Sequence, residues 1–405
     1  MDGSAAAAMN NSAVVYGITG GIAAYKAPLV VRGLRALGLD VTVVMTESAR
    51  QFITPYTMQT ISGNPVYTEM FSTVATSGFE IDHIALADRA DCFLIAPATA
   101  NCVAKLAHGI ADDLLTTTAL ATRAPLLVCP SMNVNMLTNQ ATQDNLQILQ
   151  SRGIRLLEPE AGELACGWEG QGRLPEPERI VAEVQNILSK KDLSGKNILI
   201  TCGPTCEDID PVRYITNRST GKMGAALVDA ACLRGARATV ISGPVHLEYS
   251  PWAEVIEVRS AKEMLSQAKE HLGEADVLIM AAAVADFVPV ETNEKKIKKS
   301  GTGISKIELS PSPDILSTLI PMKNAKIFIG FAAETESLLD NARQKMESKG
   351  LDMIVANQVG HEGTGFASDT NSGAILSPSG IMERFELMEK QDLAHKILDH
   401  VKDRL

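Results

Sequence analysis

The 405-residue sequence has few aromatic side chains and little positive charge. Only 4% of its residues are Phe, Trp or Tyr, and the formal net charge is −11. Few aromatic rings argue against a stacking platform for single-stranded nucleic acid, and the acidic balance argues against general affinity for phosphate backbones. We therefore expect no nucleic-acid partner. Small anionic ligands remain compatible with local lysines and helix N-termini.

The sequence also lacks long apolar runs and paired metal-ligand motifs. No apolar run approaches the roughly 20 residues of a membrane helix, and the N-terminal tail does not have the pattern of a secretory signal. The seven cysteines are scattered, and Cys202 and Cys206 have no matching His or Cys pair, so the zinc signal is weak. We expect a reduced, cytoplasmic protein without a membrane partner.

A polar, charged segment at residues 189–196 divides the chain into two similar halves. An apolar run that breaks at a glycine follows this segment at Asn197–Pro204, and another opens the chain at Val14–Gly21. Both runs lead into helical patterns, and 45% hydrophobic residues suffice for two cores. We predict an α/β protein with two domains, 1–189 and 190–405, each a mostly parallel sheet with helices on both faces.

In the first half, apolar runs that close on small polar residues predict the strands of a parallel sheet. The runs are Val14–Thr19, Asp40–Met45, Cys92–Ala96 and Leu126–Cys129. A parallel sheet presents its ligand at the carboxyl ends of its strands. The Thr, Ser and Asn residues that follow three of these runs would form a polar, uncharged cradle, which suits a ring system with a phosphate tail better than a metal.

Gly20 and Gly21 follow the first predicted strand and precede a helix that we expect to run from Ile22 towards Leu37. Two glycines at a strand-to-helix turn let backbone N–H groups approach a phosphate, helped by the helix dipole. The spacing does not fit G-x-G-x-x-G, so a dinucleotide fingerprint is not supported. A tight turn without a ligand is the alternative interpretation.

Three further residues of the first half are candidates for chemistry. His83 lies between apolar neighbours, where a histidine is more often structural than catalytic. Asn133 follows a strand end and is either a carboxylate ligand or a turn cap. Cys166 lies in a segment with three glycines, which favours a mobile flap over a ligand rather than core packing.

Motifs of the first half resemble the flavin-dependent cysteine decarboxylases, most closely the phosphopantothenoylcysteine decarboxylases. They occur in the family's order at Gly20–Lys26, Pro97–Asn101, Pro130–Asn133, Ala165–Gly167 and Gly172–Leu174. The resemblance covers most of residues 13–185 and implies bound FMN and a flavodoxin-like fold. The cofactor-binding residues that it implies are Gly20, Gly21, Ile22, Thr46, Thr99 and Asn101. Ser131 stands where the family more often has Ala.

The same resemblance implies the reaction. The flavin oxidises the cysteinyl thiol of the substrate to a thioaldehyde, which stabilises the carbanion left when carbon dioxide departs. Electrons then return to the enethiol, and a proton is supplied. By resemblance His83 is the base, Asn133 holds the substrate carboxylate and Cys166 donates the proton, because a thiol with a pKa of about 8.5 is mostly protonated at neutral pH.

The second half has a similar alternation of strands and helices. Strands are predicted at Asn197–Cys202, Ala238–Ser242, Val255–Val258, Asp276–Met280, Ile327–Phe331 and Met353–Ala356. A loop is expected at Gly203–Pro211. The segment Ser219–Lys222 fails as a P-loop, since position 216 is Thr and Lys222 is followed by Met, but remains a fair anion site at a helix N-terminus. The basic run Glu294–Lys299 is either a solvated loop or a lysine clamp on a polyphosphate.

Residues 190–405 resemble the phosphopantothenate–cysteine ligases. The motifs are Thr216–Gly224, Ala281–Asp286, Lys296–Lys299 and Gly330–Thr335. The resemblance implies that the pantothenate carboxylate attacks a nucleoside triphosphate, CTP in the bacterial fused form, and that the amine of cysteine then displaces the nucleotide. Asn217 and Lys296 are the implied catalytic residues. The implied CTP contacts are Met280, Ala281, Ala282, Asp286, Lys296, Ser312, Pro313, Asp314, Ile315, Phe331, Lys345 and Lys349.

The resemblance also leaves some points open. Ser312 replaces the usual Asn, which makes that nucleotide contact less certain. Mg²⁺ is expected with the triphosphate, and its ligands are not defined by the sequence. The two halves together predict a bifunctional enzyme of coenzyme A biosynthesis that acts on small molecules and forms a homo-oligomer of up to twelve copies. The alternatives are a flavin prenyltransferase-like or oxidoreductase flavoprotein fused to an unrelated nucleotide-binding domain, and a regulatory subunit without catalysis.

Overall fold

The structure is a computed structural model that describes residues 11–70, 82–163, 169–297, 306–334, 337–360, 365 and 367–405. Contacts between Cα atoms divide the chain into two compact units, Met1–Ser189 and Lys190–Leu405. The boundary falls in the polar segment between the two halves. In the described parts of the chain, no helix has the length and apolar character needed to cross a bilayer.

The described residues of the first unit form a parallel sheet and a separate hairpin. Its strands are β1 (Ala13–Ile18), β2 (Asp40–Met45), β3 (Val66–Tyr67), β4 (Cys92–Ala98), β5 (Leu126–Pro130), β6 (Arg155–Leu156), β7 (Glu160–Glu163) and β8 (Glu169–Arg173). The sheet has the order β3-β2-β1-β4-β5-β6, with every pair parallel. Without the short edge strand β3, this is the order of flavodoxin-like sheets. β7 and β8 pair antiparallel.

Helices cover both faces of this sheet. They are α1 (Ala27–Ala36), α2 (Pro55–Ser62), α3 (Asp82–Arg89), α4 (Ala100–His108), α5 (Leu114–Ala121), α6 (Val134–Thr138), α7 (Gln140–Ser151) and α8 (Pro177–Leu188). Neighbouring residues of β1 enter different cores: Tyr16 packs with α1 and α8, and Val15 packs with α4 and α5. Burial on both faces explains why the strands are continuous apolar runs in the sequence.

The second unit contains a larger, mixed sheet. Its strands are β9 (Asn197–Cys202), β10 (Cys206–Asp210), β11 (Arg213–Thr216), β12 (Arg237–Ser242), β13 (Glu254–Glu257), β14 (Val277–Met280), β15 (Phe287–Pro289), β16 (Leu309–Pro311), β17 (Ile327–Glu334), β18 (Met353–Gln358), β19 (Thr370–Ser377) and β20 (Gly380–Glu389). The sheet order is β13-β12-β9-β14-β17-β18-β19-β20. Pairs from β13 to β18 are parallel, and β19 and β20 add antiparallel.

Two groups of helices sandwich the second sheet. They are α9 (Lys222–Leu233), α10 (Ala261–Leu272), α11 (Ile315–Leu319), α12 (Leu338–Ser348) and α13 (Lys390–Lys402). One core contains α9 and α13, and the other contains α10, α11 and α12. The predicted fold class, two mostly parallel sheets with helices on both faces, is therefore confirmed.

Two local predictions are wrong. The first turn after β1 is a 3-10 helix at Ile22–Lys26, and the α-helix begins only at Ala27, because Pro28 favours the first turn of an α-helix over its interior. The expected loop after β9 contains β10, which pairs with β11. The sequence of β10 is rich in Asp and Glu, which are depleted in strands, so its composition did not predict a strand.

Gly224 lets α9 lie directly on β9. An added Cβ would be 2.4 Å from Sγ of Cys202 and 3.2 Å from its Cα. We predict that Gly224→Ala lowers the free energy of unfolding of the second unit by about 1–3 kcal/mol, because the helix must shift away from the strand. Chemical denaturation measures the change.

A matched control is Gly273→Ala. Gly273 has helical backbone angles and no atom within 4 Å of an added Cβ. This substitution is expected to stabilise the protein by about 0.4–1 kcal/mol through the unfolded chain. Equal effects of the two substitutions would contradict the close approach of α9 to β9.

Candidate active sites

The loops after β1 and β4 lie next to each other at the point where the strand order of the first sheet reverses. β2 and β3 lie on one side of β1, and β4 lies on the other, so a crevice opens between the carboxyl ends of β1 and β4. The buried Thr19 joins the two loops: its Oγ1 donates to Pro97 O at 2.7 Å and accepts from Thr99 N at 3.0 Å. This link fixes the relative position of the loops that carry the predicted cofactor residues.

The predicted cofactor residues lie at the starts of three helices around this crevice. Thr46 accepts from Ala49 N and caps a 3-10 helix, and Thr99 accepts from Cys102 N and caps α4. Gly21 caps the 3-10 helix that follows β1. Helix starts present backbone N–H groups without helical partners, which favours an anionic ligand.

Gly20 has a steric reason to be glycine. An added Cβ would lie 2.3 Å from Cβ of Ser48, in the helix that Thr46 caps. The loop after β1 can therefore lie directly against the loop after β2. Ile22 and Asn101, the remaining predicted cofactor residues, are exposed beside these loops. The loops after β1, β2 and β4 are therefore in contact, and the predicted polar cradle, which also includes the end of β5, stays a prediction.

His83 is the second residue of α3 and is partly buried. Its Nδ1 atom is buried and has no hydrogen-bond partner among the described residues. Buried ring nitrogens usually have a partner, so this atom is a candidate contact for a ligand. The hydrogen bonds described above for the crevice do not include His83, and its catalytic role stays a prediction.

Asn133 caps α6, since its side chain accepts from Asn135 N at 2.8 Å. The turn-cap interpretation therefore describes this contact, and binding of a carboxylate stays a prediction. The adjoining turn is docked to β8: Gly172 O accepts from Met132 N at 3.1 Å and from Ser131 Oγ at 3.3 Å. Ser131 thus adds a hydrogen bond that an alanine would not provide.

The hairpin of β7 and β8 is fixed at its base to this turn. An added Cβ at Gly170 would lie 3.0 Å from Val134 Cγ2, at the start of α6. Lys26 also reaches the chain just after β8, where its Nζ donates to Leu174 O at 3.2 Å. Cys166, the predicted proton donor, lies outside the described residues.

A cavity of about 550 Å³ lies at the carboxyl ends of β14 and β17 in the second sheet. Asn217 lines it together with the predicted nucleotide contacts Met280, Ala281, Ala282, Asp286, Ser312, Pro313, Asp314, Ile315, Phe331, Lys345 and Lys349. The structure therefore brings together residues from five separate stretches of the second half.

Side-chain hydrogen bonds to backbone carbonyls shape the small-residue turn after β14. Asn217 Nδ2 donates to Ala283 O at 3.2 Å and to Val284 O at 3.0 Å. Ser312 Oγ donates to Ala285 O. Since the turn has only small side chains, the backbone itself faces the cavity and is held by Asn217 and Ser312.

Two lysines give this cavity a defined charge pattern. Lys345 Nζ donates to Phe331 O at 2.8 Å, and burial lowers the pKa of Lys345, against the opposing effect of Glu334 and Asp286. Lys349 binds Asp314. Burial alone would raise the pKa of the Asp314 carboxyl, but hydrogen bonds from Lys349 and Ser317 lower it. The cavity therefore holds both a poorly solvated cation and an ion pair.

Lys296 is the one predicted nucleotide contact that does not line the cavity. It is exposed, and the adjacent Ile297 is held by the hairpin of β10 and β11: Ile297 N donates to Asp210 Oδ2 at 3.2 Å, and Arg213 Nη2 donates to Ile297 O at 2.9 Å. Residues 298–305, which continue the basic run, lie outside the described residues. Lys296 therefore stays a prediction.

Sequence reasoning missed several lining residues, among them Lys222, Asn357, Asn371 and Lys390. Within the described residues, the buried Oδ1 atom of Asn357 has no hydrogen-bond partner, which makes it a candidate ligand contact. Lys222 belonged to the rejected P-loop segment, whose reading as an anion site was the available signal. Lys390 carried no signal, because it opens the last helix far from every motif. In the described parts of the chain, no three His, Cys, Asp or Glu side chains cluster as a metal site would need.

Each unit thus has polar groups at the carboxyl edge of a mostly parallel sheet, which is the edge at which enzymes of the α/β class bind their ligands. The family model described as Flavoprotein matches residues 3–189, and the model described as DNA/pantothenate metabolism flavoprotein C-terminal domain matches residues 193–405. The chain belongs to the family of bifunctional coenzyme A biosynthesis proteins. This membership confirms the predicted family and enzyme class.

Similar proteins match almost the full length of the chain. The coenzyme A biosynthesis bifunctional protein CoaBC of Bacillus subtilis is 44% identical over 97% of this chain and 97% of its own, and that of Escherichia coli is 42% identical over 96% and 97%. A crystal structure of the C-terminal domain of such a protein covers 53% of this chain and 97% of its own at 36% identity, with a TM-score of 0.46. The comparisons give no support to the prenyltransferase, oxidoreductase or regulatory alternatives.

The link between the β1 and β4 loops can be tested by Thr19→Val. The substitution keeps the side-chain volume but leaves Thr99 N without its acceptor in a buried place. We predict a loss of about 1–3 kcal/mol in the free energy of unfolding of the first unit. The exposed Thr60, whose Oγ1 donates to Tyr56 O within α2, gives the control Thr60→Val, with an expected change within about 0.5 kcal/mol. Equal losses would remove Thr19 as the link.

Proposed function

We propose that this chain catalyses two consecutive reactions of coenzyme A biosynthesis. Residues 190–405 join cysteine to 4′-phosphopantothenate with CTP, and residues 1–189 decarboxylate the resulting 4′-phosphopantothenoylcysteine to 4′-phosphopantetheine with FMN. The observation that supports the proposal most is the cavity at the carboxyl edge of the second sheet, which is lined by eleven of the twelve predicted nucleotide contacts. The relatives named above, which are called bifunctional, support the order of the two halves.

FMN fits the crevice of the first unit. Helix starts after Gly21, Thr46 and Thr99 offer N–H groups and hydroxyls to a phosphate and a ribityl chain. The buried Nδ1 atom of His83, which has no hydrogen-bond partner among the described residues, can bind a polar group of the ligand. When bound, FMN supplies two-electron oxidation of the substrate thiol and the reverse transfer after decarboxylation. Since Gly21, Thr46 and Thr99 are uncharged, the backbone N–H groups of the helix starts would bind the anionic phosphate.

The side chains of the first unit then handle the substrate and its protons. His83 takes the proton of the cysteinyl thiol. Asn133 donates a hydrogen bond from its amide nitrogen to the substrate carboxylate, while its oxygen keeps the cap of α6. Cys166 returns a proton to the enethiol, since its thiol is the weak acid that such a step needs.

In the second unit the cavity holds CTP beside the pantothenate carboxylate. The carboxylate attacks the α-phosphorus and releases pyrophosphate, and the amine of cysteine then attacks the acyl carbon and releases CMP. Lys345, which is partly buried at the cavity wall, stabilises negative charge on the nucleotide. The two carbonyls that accept from Asn217 Nδ2 fix the side-chain amide at the cavity, so its oxygen can accept a hydrogen bond from the incoming amine.

The proposal also includes a metal ion, a cellular compartment and an oligomeric state. Mg²⁺ accompanies the triphosphate. Asp286, a carboxylate of the cavity wall at the end of the small-residue turn, is its proposed protein ligand. The chain acts in the cytoplasm. It forms a homo-oligomer, which the exposed apolar side chains of Ile22, Tyr25 and Tyr56 in the first unit support.

The direct test supplies the purified protein with 4′-phosphopantothenate, cysteine, CTP and Mg²⁺ and follows products by mass spectrometry. We expect a yellow protein that forms 4′-phosphopantetheine, with CTP converted to CMP. Without CTP, added 4′-phosphopantothenoylcysteine should still be decarboxylated. A protein that binds flavin but converts neither substrate would contradict the proposal.

Lys296 should affect one half-reaction only. We predict that Lys296→Gln lowers ligase activity about 100-fold or more, because a positive charge near the reacting phosphate stabilises the transition state. Decarboxylation of supplied substrate should not change. The neighbouring exposed lysine gives the control Lys295→Gln, which should keep ligase activity. If both variants behave like the wild type, the basic run is a solvated loop.

A further inference from the structure

Two lysines that the proposed mechanism does not use line the ligase cavity. Lys222 is the first residue of α9, and Lys390 is the first residue of α13. The helix dipole opposes a cation in the first turn, so helix stability explains neither lysine. Lys390 is only 5% exposed, which makes its charge costly to bury without a specific purpose.

Both lysines bind the same short segment, residues 367–369. Lys222 Nζ donates to Ala367 O at 3.0 Å and to Asp369 Oδ1 at 2.6 Å. Lys390 Nζ donates to Ser368 O, and Lys390 N donates to Asp369 O at 2.9 Å. The segment is therefore held from α9 on one side and from α13 on the other.

The segment leads into β19, and its two ends adjoin the cavity. Gly365, which precedes it, accepts from Lys390 Nζ at 3.2 Å and lines the cavity. Asn371, which follows it, also lines the cavity, is buried, and donates to Met223 Sδ at 3.7 Å. The position of the segment therefore decides where two cavity-lining residues lie.

We propose that Lys222 and Lys390 are positioning residues of the ligase site, which hold residues 367–369 in place and thereby set how tightly the anionic substrates bind. This inference rests on the proposed ligase function. Charge-assisted hydrogen bonds to carbonyl and carboxylate oxygens are about twice as strong as neutral ones, so the two ammonium groups suit this task. They also leave positive charge at a cavity that receives a polyphosphate.

Lys390 gives the proposal a pH signature. Burial, and then the nearby Lys222, lower the pKa of Lys390 from 10.5 to about 8, against the opposing effect of Asp369. Between pH 8 and 10.5 the unfolded chain binds more protons at this lysine than the folded one, so its contribution to stability rises with pH. Its hydrogen bonds to the segment weaken in the same window, because the ammonium group loses its charge.

Substrate binding and stability should therefore move in opposite directions above pH 8, which a merely structural lysine would not produce. The test uses the full chain with Lys390→Met, Lys390→Arg and Lys222→Met. CTP binding is measured by calorimetry, and KM and kcat by ligase assays, from pH 7 to 9. For each Met variant we expect about 10-fold weaker CTP binding and a higher KM at pH 7, because a hydrogen bond to a charged group is lost. The kcat should stay within about threefold of the wild-type value.

Lys390→Arg should restore binding and abolish the weakening that the wild type shows from pH 7 to 9, because a guanidinium stays charged. The matched control is Lys323→Met, since Lys323 Nζ binds Gly350 O and Asp352 Oδ1, both at 2.8 Å, and does not line the cavity. It should lower stability without changing KM.

Unchanged CTP binding and KM in both Met variants would overturn the inference while ligase activity in the wild type still stands. A loss of kcat alone would overturn it as well, because it would make the lysines catalytic. Circular dichroism separates an unfolded Lys390→Met protein from a folded one, and the more exposed Lys222→Met then decides the question. A wild type without ligase activity would instead overturn the proposed function.

Discussion

Both candidate sites depend on the reversal of strand order in a parallel sheet, because this reversal opens a crevice at the carboxyl ends of the strands. Consecutive crossovers carry the chain from β1 to one side and, after β3, to the other, so the loops after β1 and β4 diverge. The second sheet repeats the arrangement with β9 and β14 as its inner pair, and the cavity lies beside this pair, at the carboxyl ends of β14 and β17. Loops that follow parallel strands can vary without disturbing the strand ladder, which is why such loops often carry functional residues.

Diverging loops leave backbone groups without ladder partners, and both units satisfy them with short polar side chains. Thr19 bridges a carbonyl and an amide in the first unit, and Asn217 binds two carbonyls in the second. A buried backbone group without a partner costs about as much as a lost hydrogen bond, so these residues determine the shape of the sites as well as their chemistry. Thr19 and Asn217 therefore have a structural role at the strand ends.

The sheets were predictable because buried parallel strands are continuous apolar runs, and the cradle residues because they follow those runs directly. Less regular features were not. The hairpin of β10 and β11 is held by carboxylate contacts such as Asp210 with Arg213, which sequence periodicity does not register. Lys390 reaches its cavity through the last helix, so only the tertiary fold brings it to Lys222. The glycine-rich segment made Cys166 a candidate, but the specific roles of His83 and Cys166 came from the resemblance, because periodicity does not indicate a base or a proton donor.

Charge explains why the ligase cavity is built from individually restrained lysines. A chain with a net charge of −11 repels anionic substrates at long range, but salt screens that repulsion beyond about 8–10 Å. Attraction must therefore come from cations within the cavity. An unrestrained lysine would pay conformational entropy when it binds, whereas Lys345, Lys349 and Lys390 are already held by carbonyl or carboxylate oxygens. Burial of Lys345 and Lys390 lowers their pKa values, so the same restraint that prepares the site also limits the pH range in which it is charged.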